Sequence, residues 1–223
     1  MTSHRPGVVR LSREERVRQI LAAATDEFRA AGFDGASMAA IASRAGIVEG
    51  SIYRFFENKA TLLTRAIEVW YEEMLETYAR ELSVITGTRA RLRFMVWRHL
   101  KTVHDEPEMC SLMFNYVRGS DGYRATDVFR LNSLYTARTL DIVREGIAKG
   151  ELRDDLDLRL VRDVIYGGVE HRVWGYLRGE GSLDPEVLAD SIVDMVMAGI
   201  GVADPLVARL SAIEATVCAT VAS

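Results

Sequence analysis

The sequence predicts an all-α protein, and three observations support this class. Apolar residues recur at three- and four-residue spacing along almost all of the 223 residues, which is the period of an amphipathic helix. Only four prolines interrupt the pattern, and no low-complexity segment is present. Capping residues and glycines stand where the periodic stretches end. The chain is long enough for one small domain beside a larger one.

The first four predicted helices are defined by local signals. Ser12 and Glu15 have the spacing of a capping box, in which a Ser hydroxyl and a Glu carboxylate each accept from an otherwise unpaired backbone N–H. Glycines at 32 and 87 stop the first and fourth helices, and Asn58 precedes the fourth. The predicted ranges are 13–31, 38–44, 49–55 and 59–85.

Later helices follow from the same kinds of signal. Thr88, Asp157 and Asp184 are N-cap residues, Pro107 and Pro185 suit a first helical turn, and a glycine after Lys149 suits a C-terminal cap. The predicted ranges are 88–104, 107–116, 126–149, 157–179, 184–202 and, at the end of the chain, 205–221.

Residues 37–55 have the features of a helix-turn-helix. Ser37 caps a short helix whose small and apolar side chains allow a close crossing by its neighbour. Gly46 provides the positive φ that a tight turn between two helices requires, and Ile47 fills the core at that turn. The helix after the turn is then presented outward. The apolar residues assigned to the core are Ile41, Ile47, Ile52 and Phe56.

The N-terminal region resembles the DNA-binding domain of the TetR family over about residues 13–63. The resemblance rests on a spaced set of residues: Ile20-Leu21-Ala22-Ala23-Ala24, Phe28, Gly32-Phe33, Ile41-Ala42, Ala45-Gly46-Ile47, Gly50-Ser51-Ile52-Tyr53, Phe56, Asn58-Lys59 and Leu62-Leu63. It implies a helix-turn-helix domain over residues 1–60 and an effector-binding and dimerisation domain over 61–223. It also implies a homodimeric repressor that binds a palindromic operator and is released by a small molecule.

The candidate DNA-binding residues lie on the two short helices and at the start of the long one. They are Ser37, Glu49, Gly50, Ser51, Tyr53, Arg54 and Lys59. Arg54 is suited to a bidentate pair with guanine or to a phosphate, and Tyr53 to a phosphate. At position 48, where the family often has Ser or Thr, this chain has Val48. The role of Glu49 is open, because a carboxylate repels phosphate unless it accepts from cytosine.

The last two predicted helices before residue 203 suit a dimer interface. The family resemblance implies that they pair with their counterparts in a second subunit. Each has a wide apolar surface, which exceeds what packing on one side needs. The stripes consist of Leu160, Val161, Val164, Ile165 and Gly168 on one helix, and of Leu188, Ile192, Met195, Val196 and Gly199 on the other.

Aromatic and methionine residues of the C-terminal region suit a cavity for a largely apolar small molecule. The candidate ligand-binding residues are Trp70, Met74, Tyr78, Trp97, Met113, Tyr116, Tyr135, His171 and Trp174. The segment Gly-Gly-x-Glu-His-x-x-Trp that contains the last two resembles one in TetR regulators that respond to acyl-CoA. Two effector classes therefore stay open: an acyl-CoA or fatty acid, and a drug-like amphipathic compound.

Charge and composition limit the remaining function classes. The net charge is −4, but residues 1–60 contain nine basic and seven acidic side chains against 19 and 25 in the rest, so only the N-terminal part suits a phosphate-facing surface. Cys110 and Cys218 lack neighbours that would make a metal site, and we expect neither metal nor cofactor. The apolar runs are too short for a membrane span, which predicts a cytoplasmic protein. An enzyme and a helical adaptor for protein partners are the competing classes; neither has a supporting motif.

Overall fold

The computed structural model describes residues 11–202, so the predicted terminal helix at 205–221 lies outside the described part of the chain. Nine α-helices occur within residues 11–202: α1 (Arg13–Gly35), α2 (Met38–Arg44), α3 (Glu49–Ile52), α4 (Lys59–Ser83), α5 (Thr88–Asp105), α6 (Pro107–Leu112), α7 (Asp127–Ala148), α8 (Leu158–Leu177) and α9 (Pro185–Ile200). The only β feature in this range is an isolated bridge between Leu152 and Gly201. The all-α class is confirmed.

Three predicted elements differ from those observed. Helix α1 continues to Gly35, although Gly32 has a φ of 69° and interrupts its regular geometry at the predicted stop. Helix α3 ends after four residues, and the chain continues in a turn in which the Phe56 N–H still donates to the Ile52 carbonyl at 3.0 Å. The segment 107–116 is not one helix, because a π-helical turn at Met113–Val117 follows α6.

The described chain forms two compact units. The first contains the residues up to Arg80 together with Asp105–Tyr135, and the second contains Glu81–His104 and the residues from Thr136 onward. This grouping differs from a division at residue 60, because α6 packs against α1 within the first unit. The division into domains at residue 60 stays a prediction.

The first unit is built around the apolar faces of α1, α2 and α4. Its fully buried side chains include Ile20, Phe28, Ile41, Ile52, Leu62 and Leu63. Ser12 and Glu15 form the predicted capping box at the start of α1. Gly46 has a φ of 62°, as the turn between α2 and α3 requires. Ile47 is only half-buried, because the turn leaves one side of it open.

In the second unit, α5 is joined to α9 by a ladder of polar contacts. Arg89, Arg93 and Trp97 lie four residues apart on α5, and they contact Asp194, Asp190 and Glu186, which are four residues apart in the opposite direction on α9. We call these contacts the α5–α9 ladder. Arg93 is its centre: Nε donates to Asp190 at 2.6 Å, and Nη2 donates to Glu186 at 2.7 Å. The ladder fixes the register of two antiparallel helices.

None of the helices within residues 11–202 combines the length and the apolar character needed to cross a membrane. Cys110 is buried, while Cys218 falls outside the described range. Burial raises the pKa of Cys110 far above the usual range of a thiol, and the nearby Glu106 and Glu108 raise it further. A thiol that stays protonated and buried is a packing residue rather than a nucleophile.

Candidate DNA-binding surface and effector-binding residues

The segment 49–54, which we call the recognition segment, follows the turn at Gly46 and is held by one buried side chain. Ile52 is fully buried, whereas Val48, Glu49, Gly50, Tyr53 and Arg54 are exposed. Val48 is the N-cap residue of α3 and makes no side-chain capping bond. The sequence departure at position 48 therefore removes the hydroxyl that would otherwise close the helix start.

The exposed side of the recognition segment combines a phenol, a carboxylate and a guanidinium. The Tyr53 hydroxyl donates to Glu49 Oε1 at 3.4 Å, a long contact that places both side chains on the same face. Gly50 lies beside them, and a Cβ added there would meet no atom within 4 Å. Another surface can therefore approach the backbone at Gly50 closely.

Ser37 and Lys59 both contact backbone groups. Ser37 Oγ accepts from the Ala40 N–H at 3.1 Å, so this hydroxyl caps α2. Lys59 Nζ donates to the Phe33 carbonyl at 2.6 Å and to the Ala36 carbonyl at 2.8 Å, and it lies 4.5 Å from the centroid of the Phe33 ring. An ammonium has three N–H donors, so one remains for a DNA phosphate. The contact of Lys59 with DNA stays a prediction.

A recess of about 460 Å³ adjoins the recognition segment and was not predicted from the sequence. We call it the arginine recess, and its lining residues are Leu11, Ser12, Arg13, Arg16, Ile47, Ser51, Arg54 and Phe55. Arg13 and Arg16 stand three residues apart on α1, which is the spacing of one helix face. That spacing was a usable signal, but the proximity of this face to Arg54 depends on the folding of α1 against α3.

Six of the nine candidate ligand-binding residues lie in the first unit, and the structure brings two of them into contact. The ring centroids of Tyr78 and Tyr135 are 5.9 Å apart. Met113 is buried in the π-helical turn, while Met74 is half-buried on α4. Tyr116 is 39% exposed and turns toward α1: its ring lies 4.7 Å from that of Phe33.

Trp70 binds a residue that the sequence analysis overlooked. Its Nε1 donates to Glu106 Oε2 at 3.1 Å, and the same oxygen accepts from Arg29. Glu106 thereby joins α4 and α1 to the start of α6 within the first unit. In the sequence, a glutamate before Pro107 indicates only the start of a helix. The neighbouring residues do not indicate that Glu106 binds Trp70 and Arg29, which are 36 and 77 residues away.

The other three candidate ligand-binding residues lie in the second unit. Trp97 Nε1 donates to Glu186 Oε1 at 2.6 Å as the last contact of the α5–α9 ladder. Trp174 is half-buried on α8. His171 is exposed on the described chain, so the Glu-His pair at 170–171 is not enclosed within this unit. The assignment of all nine residues to one effector site stays a prediction.

Helix α8 has a buried and an exposed apolar face. Val161 and Ile165 are buried, whereas Leu160 and Val164, which also belong to the predicted stripe, are 60% and 57% exposed. Helix α9 divides in the same way: Ile192 is buried, while Met195 is 69% exposed and Gly199 is exposed. The predicted stripes are therefore each split between the core and an open surface, which we call the α8–α9 face (Leu160, Val164, Gly168, Val187, Met195 and Gly199).

The described residues give no sign of a metal centre. Between residues 11 and 202, no group of three or more His, Cys, Asp or Glu side chains is arranged to hold an ion. The chemistry available on the exposed surface is that of hydrogen bonding and ion pairing.

Two family models match this chain. The model described as "Bacterial regulatory proteins, tetR family" matches residues 20–66, which include α2, α3 and the turn between them. The model described as "Tetracyclin repressor-like, C-terminal domain" matches residues 86–200, which is more than half of the chain.

Curated and solved relatives agree with these models. The fatty acid metabolism regulator protein of Bacillus subtilis (strain 168) is 22% identical over 82% of this chain and 94% of its own length. The repressor KstR2 of Mycolicibacterium smegmatis is 26% identical over 82% and 89%. The crystal structure of FadR from Bacillus subtilis with stearoyl-CoA has a TM-score of 0.71 at 22% identity, covering 82% of this chain and 98% of that one.

The helix-turn-helix of the first unit, the all-helical fold and the match over residues 86–200 lead to the same assignment. Regulators of this kind bind DNA and control transcription, and they are not enzymes. The chain belongs to the TetR family of DNA-binding transcriptional regulators.

Proposed function

We propose that the protein is a repressor that binds a palindromic operator as a homodimer and leaves it when a largely apolar small molecule binds. The observation that carries the proposal is the exposed polar side of the recognition segment, with Gly50 open beside Tyr53 and Arg54. Such a surface suits the major groove, in which guanidinium and phenol groups meet base edges and phosphates.

One recognition segment contacts too few bases for useful specificity, so two must act together. The α8–α9 face supports a homodimer as the arrangement that brings two segments together. Its exposed Leu160, Val164 and Met195 would be buried against a second copy. In a two-fold dimer the same patch serves both subunits, and the two recognition segments would meet the two halves of a palindrome.

A charge placed in the α8–α9 face tests the homodimer. We expect Val164→Asp to shift the protein from a two-chain to a one-chain mass in sedimentation, because an unpaired carboxylate would be buried at the interface. Val84→Asp is the matched control, since Val84 is 82% exposed and belongs to the link between α4 and α5 rather than to α8 or α9. A one-chain mass for the unaltered protein at micromolar concentration would contradict the homodimer.

Two observations support release of the operator by an apolar effector, one on the coupling and one on the effector class. Helix α4 begins at Lys59 and carries Trp70 and Tyr78 farther along, so one rigid element holds both a candidate phosphate contact and candidate effector contacts. In addition, the similar FadR structure from Bacillus subtilis is a complex with stearoyl-CoA. We favour a long-chain acyl-CoA for this reason and keep a drug-like amphipathic compound as the alternative.

The test begins with selection of binding duplexes from a random pool by the full-length chain. The selected duplex is then titrated in the presence of stearoyl-CoA, free coenzyme A or a cationic amphipathic dye. We expect stearoyl-CoA to weaken DNA binding, and free coenzyme A to have no effect because it lacks the apolar chain. By linkage, the selected duplex must weaken stearoyl-CoA binding by the same factor.

Release by the dye and not by stearoyl-CoA would assign the effector to the drug-like class. Equal affinity of each compound for the free and the DNA-bound protein would contradict release by either compound. A reporter gene placed behind the selected duplex tests repression directly: expression of the chain should lower the reporter signal, and a rise would identify an activator.

A further inference from the structure

The arginine recess gathers three positive charges beside the recognition segment. Arg13 and Arg16 come from the first turn and a half of α1, and Arg54 comes from the end of the recognition segment. None of the described residues that line the recess is acidic. Like charges around one recess repel each other, so an anion placed between them would lower the electrostatic energy.

The three guanidinium groups lack carboxylate partners within the described chain. Arg13 lies over the Phe55 ring at 5.8 Å from its centroid, and Arg16 donates at 2.8 Å to the neutral amide oxygen of Gln19. Several other arginines of the same unit pair with carboxylates: Arg44 contacts Glu27 at 3.1 Å, and Arg65 contacts Glu68 at 3.0 Å. The recess therefore differs from the ion-paired parts of this unit's surface.

Glu15, an acidic side chain of the first turn of α1, does not line the recess and is bound to the helix start. Glu15 Oε2 accepts from the Ser12 N–H at 2.7 Å, and Ser12 Oγ accepts from the Glu15 N–H at 3.1 Å. This capping box holds the Glu15 carboxylate on the backbone and lowers its pKa, chiefly through the Ser12 N–H. The charged side chains that line the recess are those of Arg13, Arg16 and Arg54.

The position of the recess indicates which anion it receives. Ser51 and Arg54 belong to both the recess and the recognition segment, so a group bound here lies next to whatever this segment touches. A guanidinium matches two oxygens of a phosphate with parallel N–H bonds, and phosphate contacts fix the register of a protein on the duplex.

We infer that Arg16, together with Arg13 and Arg54, binds a backbone phosphate of the DNA flanking the bases that the recognition segment reads. This inference rests on the proposed binding of an operator and adds α1 to the DNA interface. Arg16 contributes affinity for any sequence, because every duplex has the phosphate. The Phe55 ring, which also lines the recess, packs against the Arg13 guanidinium.

The experiment compares Arg16→Ala with Arg18→Ala on the duplex selected from the random pool and on a scrambled duplex. Arg18 is exposed on the same helix and does not line the recess, so its removal costs the same charge. For Arg16→Ala we expect the slope of log K against log salt to fall by about one on both duplexes. Between about 50 and 200 mM salt, its affinity should then change some three- to fourfold less than that of the unaltered protein. Arg16→Lys should keep most of the slope.

Neutral methylphosphonates placed one at a time along the selected duplex locate the contact. For the unaltered protein, one position in each half-site should weaken binding, and Arg16→Ala should lose that sensitivity while Arg18→Ala keeps it. An unchanged slope and pattern for Arg16→Ala, or an equal effect of Arg18→Ala, would overturn the inference and leave the proposed operator binding standing. Failure of the random pool to yield any duplex would overturn the proposed operator binding and the inference together.

Discussion

The Tyr116 hydroxyl donates to Asp34 Oδ2 across 2.6 Å, and this bond joins the π-helical turn to the end of α1. Tyr116 also packs on Phe33, whose carbonyl accepts from Lys59. Three elements of the first unit thus meet around two consecutive residues, Phe33 and Asp34. π-Helical turns are rare and often lie at functional sites, which makes this junction a place to test.

Alkaline titration should identify the Tyr116 contact. The hydrogen bond to Asp34 raises the pKa of Tyr116 above its ordinary value. Because the folded pKa is raised, the stabilisation is complete below the ordinary tyrosine value of about 10 and is lost as the pH rises through the folded value. NMR of ring-labelled tyrosine should show one resonance that titrates above the ordinary tyrosine pKa. Tyr116→Phe should remove this resonance, and Asp34→Asn should lower the pH at which it titrates. A Tyr116 resonance with an ordinary midpoint would contradict this prediction.

Lys59→Ala should change both stability and DNA binding. The ammonium donates to two carbonyls, and hydrogen bonds to charged groups contribute about 1.5–3 kcal/mol, so a half-buried site should lose about 1–2 kcal/mol of unfolding free energy. If the third N–H meets a phosphate, the salt slope of DNA binding also falls by about one. Urea denaturation without DNA measures the first effect. Lys149→Ala, at an exposed position, is the control and should change stability by less than about 0.5 kcal/mol.

Gly46→Ala and Gly50→Ala separate backbone strain from crowding. A Cβ at either position meets no atom within 4 Å, but Gly46 has a φ of 62° whereas Gly50 is helical. We expect Gly46→Ala to lower the unfolding free energy by about 1 kcal/mol and Gly50→Ala to leave it unchanged or slightly higher. For affinity to the selected duplex we expect the opposite order. Gly50→Ala should weaken DNA binding more than Gly46→Ala, because it places a methyl group between the recognition segment and the DNA. Equal thermal stability of the two variants would disprove the strain argument.

Arg93, at the centre of the α5–α9 ladder, should contribute more to the free energy of unfolding than an ordinary surface ion pair does. Arg93 contacts two carboxylates in a bidentate arrangement, so Arg93→Ala should cost about 1 kcal/mol, at the upper end for exposed pairs. Arg144→Ala removes a single exposed pair with Asp141 and should cost less than about 0.5 kcal/mol. Arg93→Lys should not restore the stability, because an ammonium cannot form the fork. Equal losses for the two alanine variants would contradict this view.

The ladder also predicts a pH dependence. The hydrogen bond from Arg93 to Asp190 lowers the pKa of the Asp190 carboxyl. A lowered folded pKa means that the stabilisation is present above the ordinary Asp value of about 3.9 and is lost as the pH falls through the folded value. Denaturation between about pH 7 and pH 3 should therefore show the unaltered protein more stable than Asp190→Asn at neutral pH, with the gap closing in acid. A constant gap would contradict the assignment.

The sequence predicted what local residues determine. Capping at Ser12, Asp157 and Asp184 was placed correctly, because an N-cap depends on residues two or three positions away. The positive φ at Gly46 followed from the turn it has to make. The family resemblance over residues 13–63 extended these local observations to a fold and a function.

Relationships between distant residues were not predictable from such patterns. The two carbonyls that bind Lys59 precede it by 26 and 23 residues, and the ladder pairs Arg89 with a residue 105 positions later. The width of the apolar stripe on α8 indicated a surface beyond the core, but only packing decided that Val161 lies inside and Val164 outside. The arginine recess likewise required the folded arrangement of α1 and α3.

The α8–α9 face has a genetic consequence for the proposed homodimer. It lies more than a hundred residues beyond the recognition segment, so a chain with a defective Arg54 keeps an intact surface for pairing. When both chains are expressed in one cell, the defective chain would form heterodimers with the normal chain. Each heterodimer would have only one functional recognition segment. An allele of this kind would behave as dominant, and its effect would vanish when Val164→Asp is added to the same chain.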